Sequence, residues 1–314
     1  MASTAEGARP RAKVRLGDRV FSTSTVVAGS LILATLAAVA LFLILQSIPA
    51  LSAGEGDLPN NATSFWSWVG PLVFGTIWAA FLALVIATPL SVGIALFISH
   101  YAPRRVAQTL GYVIDLLAAV PSVVFGLWGI ATLAPFVQPF YTWLTQNFGW
   151  FPLFAPPVSG TGRTILTAAV VLAVMVIPIM TAICREVFLQ TPRSHEEAAL
   201  ALGATRWEMV RMAVLPFARS GMISAMMLGL GRALGETLAI AMVLSPALIV
   251  SFAVLRPQSP NTIASNIALQ FPEATGLSVN ALVASGLVLF IVTLLVNMLA
   301  RYIINRRKDF SGAN

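Results

Sequence analysis

Three ionisable side chains lie inside long apolar stretches of the sequence: Asp115, Arg232 and Glu236. A charged group at the centre of a bilayer costs about 2.5 to 3.5 kcal/mol by insertion scales, so such residues are functional candidates. Arg232 and Glu236 are four residues apart, which predicts that they share one helix face and can pair. One interpretation is an ion pair that only fixes helix packing. The other is an anion path, in which Arg232 attracts the anion and the carboxylates limit how tightly it is held.

The carboxylates also bear on which anion would fit such a path. Hydrogen phosphate carries a proton that it can donate to a carboxylate, whereas fully ionised sulfate has none to donate. An acidic partner beside Arg232 therefore favours phosphate over sulfate.

Other reactive groups are scarce. Cys184 is the only cysteine, which excludes a disulfide framework or a cysteine metal cluster within one chain. His100 and His195 lack metal-ligand spacing, which counts against a membrane-embedded enzyme. Lys13 and Lys308 are the only lysines, and neither lies in a G-x-x-x-x-G-K-[ST] motif. The chain is therefore predicted to bind no nucleotide or other cofactor itself, and its energy source must be another polypeptide.

The elements that carry these residues are predicted to be membrane-spanning helices. Of 314 residues, 58% are hydrophobic and 10% are charged, with mean hydropathy +0.86. Soluble domains are nearer one quarter charged, so a soluble enzyme is excluded. Six stretches reach the ~20 residues that an apolar helix needs to cross a bilayer, and helices are favoured because open strands leave backbone groups unpaired in lipid. The predicted spans are 26–48, 73–98, 110–133, 165–184, 222–244 and 281–304.

The first stretch is preceded by five basic residues, as a secretory signal peptide would be. Its length of about 23 residues exceeds the 7 to 15 of a signal core, and five further spans follow. We interpret it as a peripheral first span. The predicted organisation is a tail at 1–25, the first span at 26–48, a five-span core at 73–304 and a second tail at 305–314.

The basic residues predict the orientation. Sixteen of the 19 lie in the N-terminal tail, in the connections 99–109 and 185–219, and at the C-terminal end from Arg301 onward, which share one side of the membrane. Arg163 and Arg256 lie on the opposite side, and Arg232 lies inside the fifth span. The positive-inside rule then places both termini in the cytoplasm. The net charge of +7 is thus a mark of topology and not of nucleic acid binding.

One cytoplasmic connection is too polar to cross the membrane yet rich in helix formers. Ser194 with Glu197, and Thr205 with Glu208, match capping boxes, in which each side chain bonds the other's backbone N–H. The predicted helices are 195–202 and 206–214.

Two further residues bound these helices. Gly203 stands where a left-handed residue ends the first, and Pro216 is expected to stop the second. The element 194–216 is either an amphipathic loop or a docking site for a partner protein.

This element resembles a known signature. Glu197-Ala198-Ala199, Gly203 and Leu215-Pro216 keep the spacing of the EAA motif of permease subunits of bacterial ABC importers. Ala213 stands where that family usually has isoleucine. The resemblance implies a type I ABC importer permease fold, in which this element couples the permease to the ATPase.

Two more runs resemble the phosphate-specific permeases of the PstC type. They are residues 115–129, which begin Asp-Leu-Leu-Ala-Ala-Val-Pro-Ser, and 229–237, which read Gly-Leu-Gly-Arg-Ala-Leu-Gly-Glu-Thr. The runs 194–197 and 262–268 are also more similar to that subunit than to its partner permease. This resemblance implies that Arg232 and Glu236 are pathway charges. Asp115 stands where the family commonly has glutamate, one methylene longer.

The resemblance also implies the partners. They are a PstA-like permease, two PstB-like ATPases that hold ATP and Mg²⁺, and a PstS-like phosphate-binding protein outside the cell. The chain would lie in the bacterial plasma membrane and perform no covalent chemistry. ATP-driven closure of the ATPases would push the element that runs from Glu197 to Gly203 and reopen the spans toward the outside.

Other functions remain as alternatives. A permease for sulfate or molybdate would keep the fold and change the substrate. A secondary transporter would explain the spans but leave the EAA motif as coincidence. A membrane scaffold or sensor that transports nothing gains little from Arg232 and Glu236 in lipid.

Glycine and proline predict local packing. Gly231 and Gly235 have G-x-x-x-G spacing, which lets a neighbouring helix approach closely and predicts tight packing at a subunit interface. Pro89 and Pro121 each lie inside a predicted span and are expected to kink it.

Overall fold

The computed structural model of the chain describes residues 16–54, 59 and 62–308, with the backbone alone for 303–308. Within that part of the chain, six helical stretches are long and apolar enough to cross a membrane, which confirms the predicted all-α polytopic membrane protein. The candidate spans are Leu16–Leu51, Phe65–Tyr101, Ser122–Phe148, Ile165–Leu189, Arg206–Leu234 and Leu277–Tyr302.

The helices of the described residues, in chain order, are α1 (Leu16–Leu51), α2 (Phe65–Leu96), α3 (Arg104–Ala118), α4 (Ser122–Trp128), α5 (Ala134–Phe148), α6 (Ile165–Leu189), α7 (Arg193–Ala201), α8 (Arg206–Met209), α9 (Leu215–Leu234), α10 (Leu238–Val243), α11 (Ile263–Gln270) and α12 (Leu277–Lys308). Three π-helical turns continue or join them: Phe97–Tyr101, Gly129–Leu133 and Val210–Val214. Two short strands, β1 (Pro246–Ala247) and β2 (Ser259–Pro260), pair in parallel.

α6 lies at the centre of the bundle. In its most apolar window 67% of residues are buried, more than in any other candidate span of the described residues. Ala79, Ala83 and Ala87 recur every four residues on α2 and belong to the buried cluster that α6 fills. Small side chains at this spacing let two helices approach closely, which is how membrane helices associate without a hydrophobic driving force.

α9 packs on α6 at Gly229, which does not belong to the predicted G-x-x-x-G pair. A Cβ on Gly229 would lie 2.7 Å from the Met180 sulfur on α6. Gly231 has nothing within 4 Å of its Cβ position, and Gly235 meets only the Gly231 carbonyl oxygen at 3.6 Å. This pair makes no helix contact among the described residues, so the predicted G-x-x-x-G contact, which would lie at a subunit interface, stays a prediction.

α1 packs along α12 and is exposed over most of its surface. The Asn280 side-chain amide donates to the Gln46 carbonyl oxygen at 2.8 Å, which ties the end of α1 to the start of α12. The first described residue of α1 is Leu16, so the helix includes the ten residues before the predicted span 26–48, which belong to the predicted tail.

The third span lies further along the chain than predicted. Residues 110–133 do not form one kinked helix: α3 ends at Ala118, and α4 begins at Ser122. Pro121 has no N–H, and its ring disfavours a helical conformation at Val120, so the chain breaks instead of bending. The apolar stretch that can cross a membrane is Ser122–Phe148. Pro89, by contrast, lies inside the uninterrupted α2.

The fifth span also differs from its prediction of 222–244. α8, the turn Val210–Val214 and α9 form one helical rod, Arg206–Leu234, and α10 follows after a break at 235–237. Pro216 does not stop the rod. It falls in the first turn of α9, directly after the π turn, where the α-helical ladder is already interrupted.

Candidate functional site

α7 begins with a cap different from the predicted one. Its N-cap residue is Pro192, which makes no side-chain cap, so Ser194 lies within the first turn. The capping box of Ser194 and Glu197 is therefore wrong, because the helix starts two residues before His195. Glu197 is left on an exposed face.

The end of α7 matches the prediction. Gly203 has φ +86°, a left-handed conformation that costs residues with a Cβ roughly 1 kcal/mol or more. The Gly203 N–H bonds the Leu200 carbonyl oxygen at 2.9 Å, and the Ala204 N–H bonds that of Ala199 at 3.2 Å. These two bonds form a Schellman motif, which closes the helix.

The second capping box is confirmed. The Thr205 N–H donates to the Glu208 carboxylate at 2.7 Å, and the Glu208 N–H donates to the Thr205 hydroxyl at 3.3 Å. This box starts α8 directly after the turn at Gly203.

α7 has one face on the bundle and one face outward. Ala199 and Leu215 pack on a buried cluster that includes Phe188 at the end of α6. Glu197, Ala198 and Pro216 are exposed. Leu200, Leu202 and Trp207 add exposed apolar surface around them, with Leu202 90% exposed. Exposed apolar surface beside a polar rim is typical of a protein–protein contact.

A polar contact also holds α7 to the bundle. His100, in the π turn that follows α2, places Nε2 3.5 Å from a Glu196 carboxylate oxygen on α7. The other ring nitrogen of His100 lies 2.7 Å from the Ser99 hydroxyl. This is the only contact at salt-bridge distance among the residues that the structure describes, and it joins the end of α2 to α7.

Arg232 lies near the end of α9 and lines a cavity of about 560 Å³ between α6, α9 and α12. Its Nε is buried without a hydrogen-bond partner. Its guanidinium makes no hydrogen bond or ion pair with any described residue.

Glu236 does not share a helix with Arg232, since α9 ends at Leu234. The predicted pairing is wrong: no ion pair forms between them among the described contacts. The Glu236 side chain is 8% exposed, and its carboxylate accepts the Ala239 N–H at 3.2 Å. Glu236 thus bonds the first turn of α10.

Asp115 lies on α3, outside the candidate spans of the described residues, and is exposed. It does not line the cavity of Arg232. The apolar stretch predicted to enclose it is displaced because the chain breaks before Pro121.

Arg163 is a structural residue that the sequence did not single out. Its guanidinium donates to the carbonyl oxygens of Met242 at 3.2 Å, Val243 at 3.4 Å and Leu244 at 2.9 Å. These are carbonyls at the C-terminal end of α10, where a cation is favoured. The available signal was that Arg163 is one of only two basic residues on that predicted side of the membrane.

Glu196 and Arg301 were also missed. Glu196 precedes the motif residue Glu197, and adjacent helical residues point in different directions, which was a signal that one of them faces the bundle. Arg301 was counted among the terminal basic residues, yet it lines the same cavity as Arg232. No local pattern reveals this, since it depends on how α12 crosses α9.

The chain is similar to curated permeases over nearly its whole length. Residues 87–309 match the family described as binding-protein-dependent transport system inner membrane component. The phosphate transport system permease protein PstC 2 of Mycobacterium tuberculosis (strain ATCC 25618 / H37Rv) is 44% identical over 306 residues, covering 92% of each chain. PstC of Mesorhizobium japonicum (strain LMG 29417 / CECT 9101 / MAFF 303099) is 38% identical over 309 residues, covering 95% of this chain and 93% of that one.

Solved structures share the fold. A bacterial ABC transporter that imports the acidic polysaccharide alginate aligns with TM-score 0.59 at 14% identity, over 92% of this chain and 99% of that one. An inward-facing form of the MetNI methionine ABC transporter aligns with TM-score 0.53 at 17% identity, over 77% and 93%. These likenesses confirm the type I permease fold.

Proteins of this family are transport permeases, not catalytic enzymes, and they work with an ATPase and a binding protein. The chain therefore belongs to the family of binding-protein-dependent transport system inner membrane components, among the PstC-type ABC permeases.

Proposed function

We propose that this chain is the permease subunit of an ATP-driven phosphate importer and forms half of its translocation path. The observation that carries the proposal is the kinship with PstC permeases, whose names assign them to phosphate transport. The proposed assembly contains a second, PstA-like permease, two PstB-like ATPases that bind ATP and Mg²⁺, and a PstS-like binding protein. Both termini are proposed to lie in the cytoplasm of the bacterium, on the evidence of the basic residues.

α7 is the proposed contact with the ATPase. Its outward face offers Glu197, Ala198 and the exposed Leu202, and a partner that covers Leu202 would remove apolar surface from water. Its inward face rests on the spans through Ala199 and the contact of Glu196 with His100. A displacement of α7 by the ATPase would therefore be passed directly to the ends of α2 and α6.

Arg232 is the proposed contact of the passing anion. An unpaired guanidinium in a cavity attracts an oxyanion, and its fork of donors matches phosphate oxygens. Glu236 would serve the path by holding α10, and its charge would limit the attraction. Asp115 is the third proposed pathway residue, and it lies on α3, before the third span.

The test is uptake of radiolabelled phosphate by proteoliposomes that contain the whole assembly. We expect uptake that requires ATP and the binding protein and that equal concentrations of sulfate or molybdate do not inhibit. Transport of sulfate or molybdate in place of phosphate would contradict the substrate. Uptake that follows an ion gradient without ATP would identify a secondary transporter instead.

A variant tests the role of Arg232 in the same assay. Arg232→Gln should abolish uptake while the assembly stays intact, and adding Glu236→Gln should not restore it. The matched control is Arg219→Gln, which removes an exposed arginine from the same helix, away from the cavity. Normal uptake by Arg232→Gln would withdraw the pathway assignment.

A further inference from the structure

The cavity beside Arg232 has a second guanidinium. Arg301 on α12 lines it together with Arg232 on α9, and the polar side chains of Ser224 and Asn297 lie in the same lining. The rest of the lining is apolar and lacks a carboxylate. Two like charges facing one cavity repel each other, and neither guanidinium makes a hydrogen bond or ion pair with a residue that the structure describes.

The cavity lies in the half of the bundle nearer α7. The start of α12 packs on the start of α2 in one buried cluster, and the end of α2 contacts α7, so α12 runs toward the α7 end. Asn297 is 20 residues beyond the start of α12, or about 30 Å along its axis. In the proposed importer this is the exit side of the path.

The polar groups of the cavity suit a protonated oxyanion. The Ser224 hydroxyl donates its proton to the Ser220 carbonyl oxygen at 2.9 Å, so toward the cavity it can only accept. Asn297 offers both an amide donor and a carbonyl acceptor. Hydrogen phosphate has oxygens for two guanidinium groups and a P–OH group for a neutral acceptor, whereas sulfate has no proton to donate.

We propose that Arg232 and Arg301 together form a binding site for a phosphate group on the exit side of the path, with Ser224 or Asn297 accepting a hydrogen bond from its P–OH group. The inference rests on the proposed function and adds Arg301 to it. The occupant is the transported inorganic phosphate. A phosphate group on an anionic lipid has the same chemistry, and the experiment separates the two sources.

The first measurement is phosphate uptake by the whole assembly with Arg301→Gln. We expect uptake to fall about tenfold or more, since a lost hydrogen bond to a charged group has roughly this effect. Arg301→Lys should keep part of the uptake, and the control Arg219→Gln should transport as the parent does. ATPase activity and subunit retention must be unchanged in all three, so that the loss is one of transport and not of assembly.

The second measurement reports occupancy without transport. Leu228→Cys in a Cys184→Ala background provides an exposed thiol in the cavity lining, at a residue that the proposal does not use, and inorganic phosphate should slow its labelling, whereas chloride at equal ionic strength should not. Adding Arg301→Gln should remove this protection. Protection should be the same in vesicles of phosphatidylcholine alone and in vesicles that contain phosphatidylglycerol.

Each outcome decides the inference. Normal uptake by Arg301→Gln, or protection that persists in that variant, would overturn it while leaving the importer intact. Slow labelling only in phosphatidylglycerol vesicles, independent of inorganic phosphate, would identify a lipid site and overturn it as well. Failure of the parent assembly to take up phosphate would instead contradict the proposed function.

Discussion

At the residue scale, two charged side chains hold α10 in place. Helices as short as α10, six residues long, are unstable alone in water because nucleation is costly. The Glu236 carboxylate bonds its first turn, and the Arg163 guanidinium bonds three carbonyls at its end. A negative charge at the start and a positive charge at the end both match the helix dipole. Glu236 thus has a structural task besides any effect on the path.

Variants of Glu236 separate its hydrogen bond from its charge. Glu236→Ala removes the acceptor for the Ala239 N–H and should destabilise the protein by about 1 kcal/mol. Glu236→Gln keeps an acceptor oxygen and should unfold close to the parent temperature. Thermal unfolding of the purified assembly in detergent measures both. Equal losses in the two variants would show that the charge, and not the bond, stabilises α10.

Arg163 offers a parallel test. Arg163→Met keeps the apolar stem but leaves carbonyl oxygens at the end of α10 without donors, and should cost roughly 2 to 3 kcal/mol. Arg163→Lys keeps the charge and should lose less. Proteolysis between α10 and α11, followed by mass spectrometry, should be faster in Arg163→Met. Unchanged proteolysis would mean that other contacts hold this end of α10.

At the element scale, α7 is defined by how it ends. Its last bonds depend on the left-handed conformation of Gly203, and a Cβ there would meet nothing within 4 Å. A substitution therefore acts through backbone conformation alone, without a steric clash. The strain should be relieved by unwinding the end of α7, which would move Leu202 and the outward face of the helix.

Gly203→Val should therefore leave the chain in the membrane but release the ATPase on purification. A β-branched residue in this conformation costs about 1 to 3 kcal/mol. Gly203→Asn is the control, because asparagine tolerates the left-handed region better and should retain more ATPase. Co-purification of the ATPase with the tagged permease measures the effect. Full retention in Gly203→Val would contradict α7 as the docking element.

At the scale of the whole molecule, the sequence predicts the number of spans better than their ends. Hydropathy and length reveal six apolar stretches, and the Thr205 capping box and Gly203 are local patterns that the structure keeps. The breaks before Pro121 and at Glu236 are only a few residues long, so an average of hydropathy over a whole span merges the apolar runs on either side into one. The position of Arg301 beside Arg232 depends on the crossing of two distant helices.

The predicted orientation can be tested by thiol labelling in intact cells. Single cysteines at Ser52 and Gly160, in a Cys184→Ala background, should react with an impermeant reagent because both positions are exposed. Ser159 is 1% exposed, so a cysteine there would stay unlabelled on either side and is unsuitable. A cysteine at Ser311, outside the described residues, should react only after lysis. Labelling of the cysteine at position 311 in intact cells would contradict the predicted orientation.

The π turn at Val210–Val214 lies within the helical rod Arg206–Leu234 of the fifth span and affects the angle between its two ends. Each residue of an α-helix advances about 100° around the axis, and a π turn holds one residue more than an α-helical turn. Deleting one residue from this turn would convert it into an α-helical turn and keep the two ends of the rod in phase. Deleting one residue from the α-helical part of α9 would instead rotate α8, and the α7 joined to it, by about 100° relative to Arg232, while shortening the rod by only about 1.5 Å. The number of α-helical residues between Gly203 and Arg232 therefore sets the direction in which α7 points around the rod. A single insertion or deletion there changes this direction far more than it changes the length of the rod.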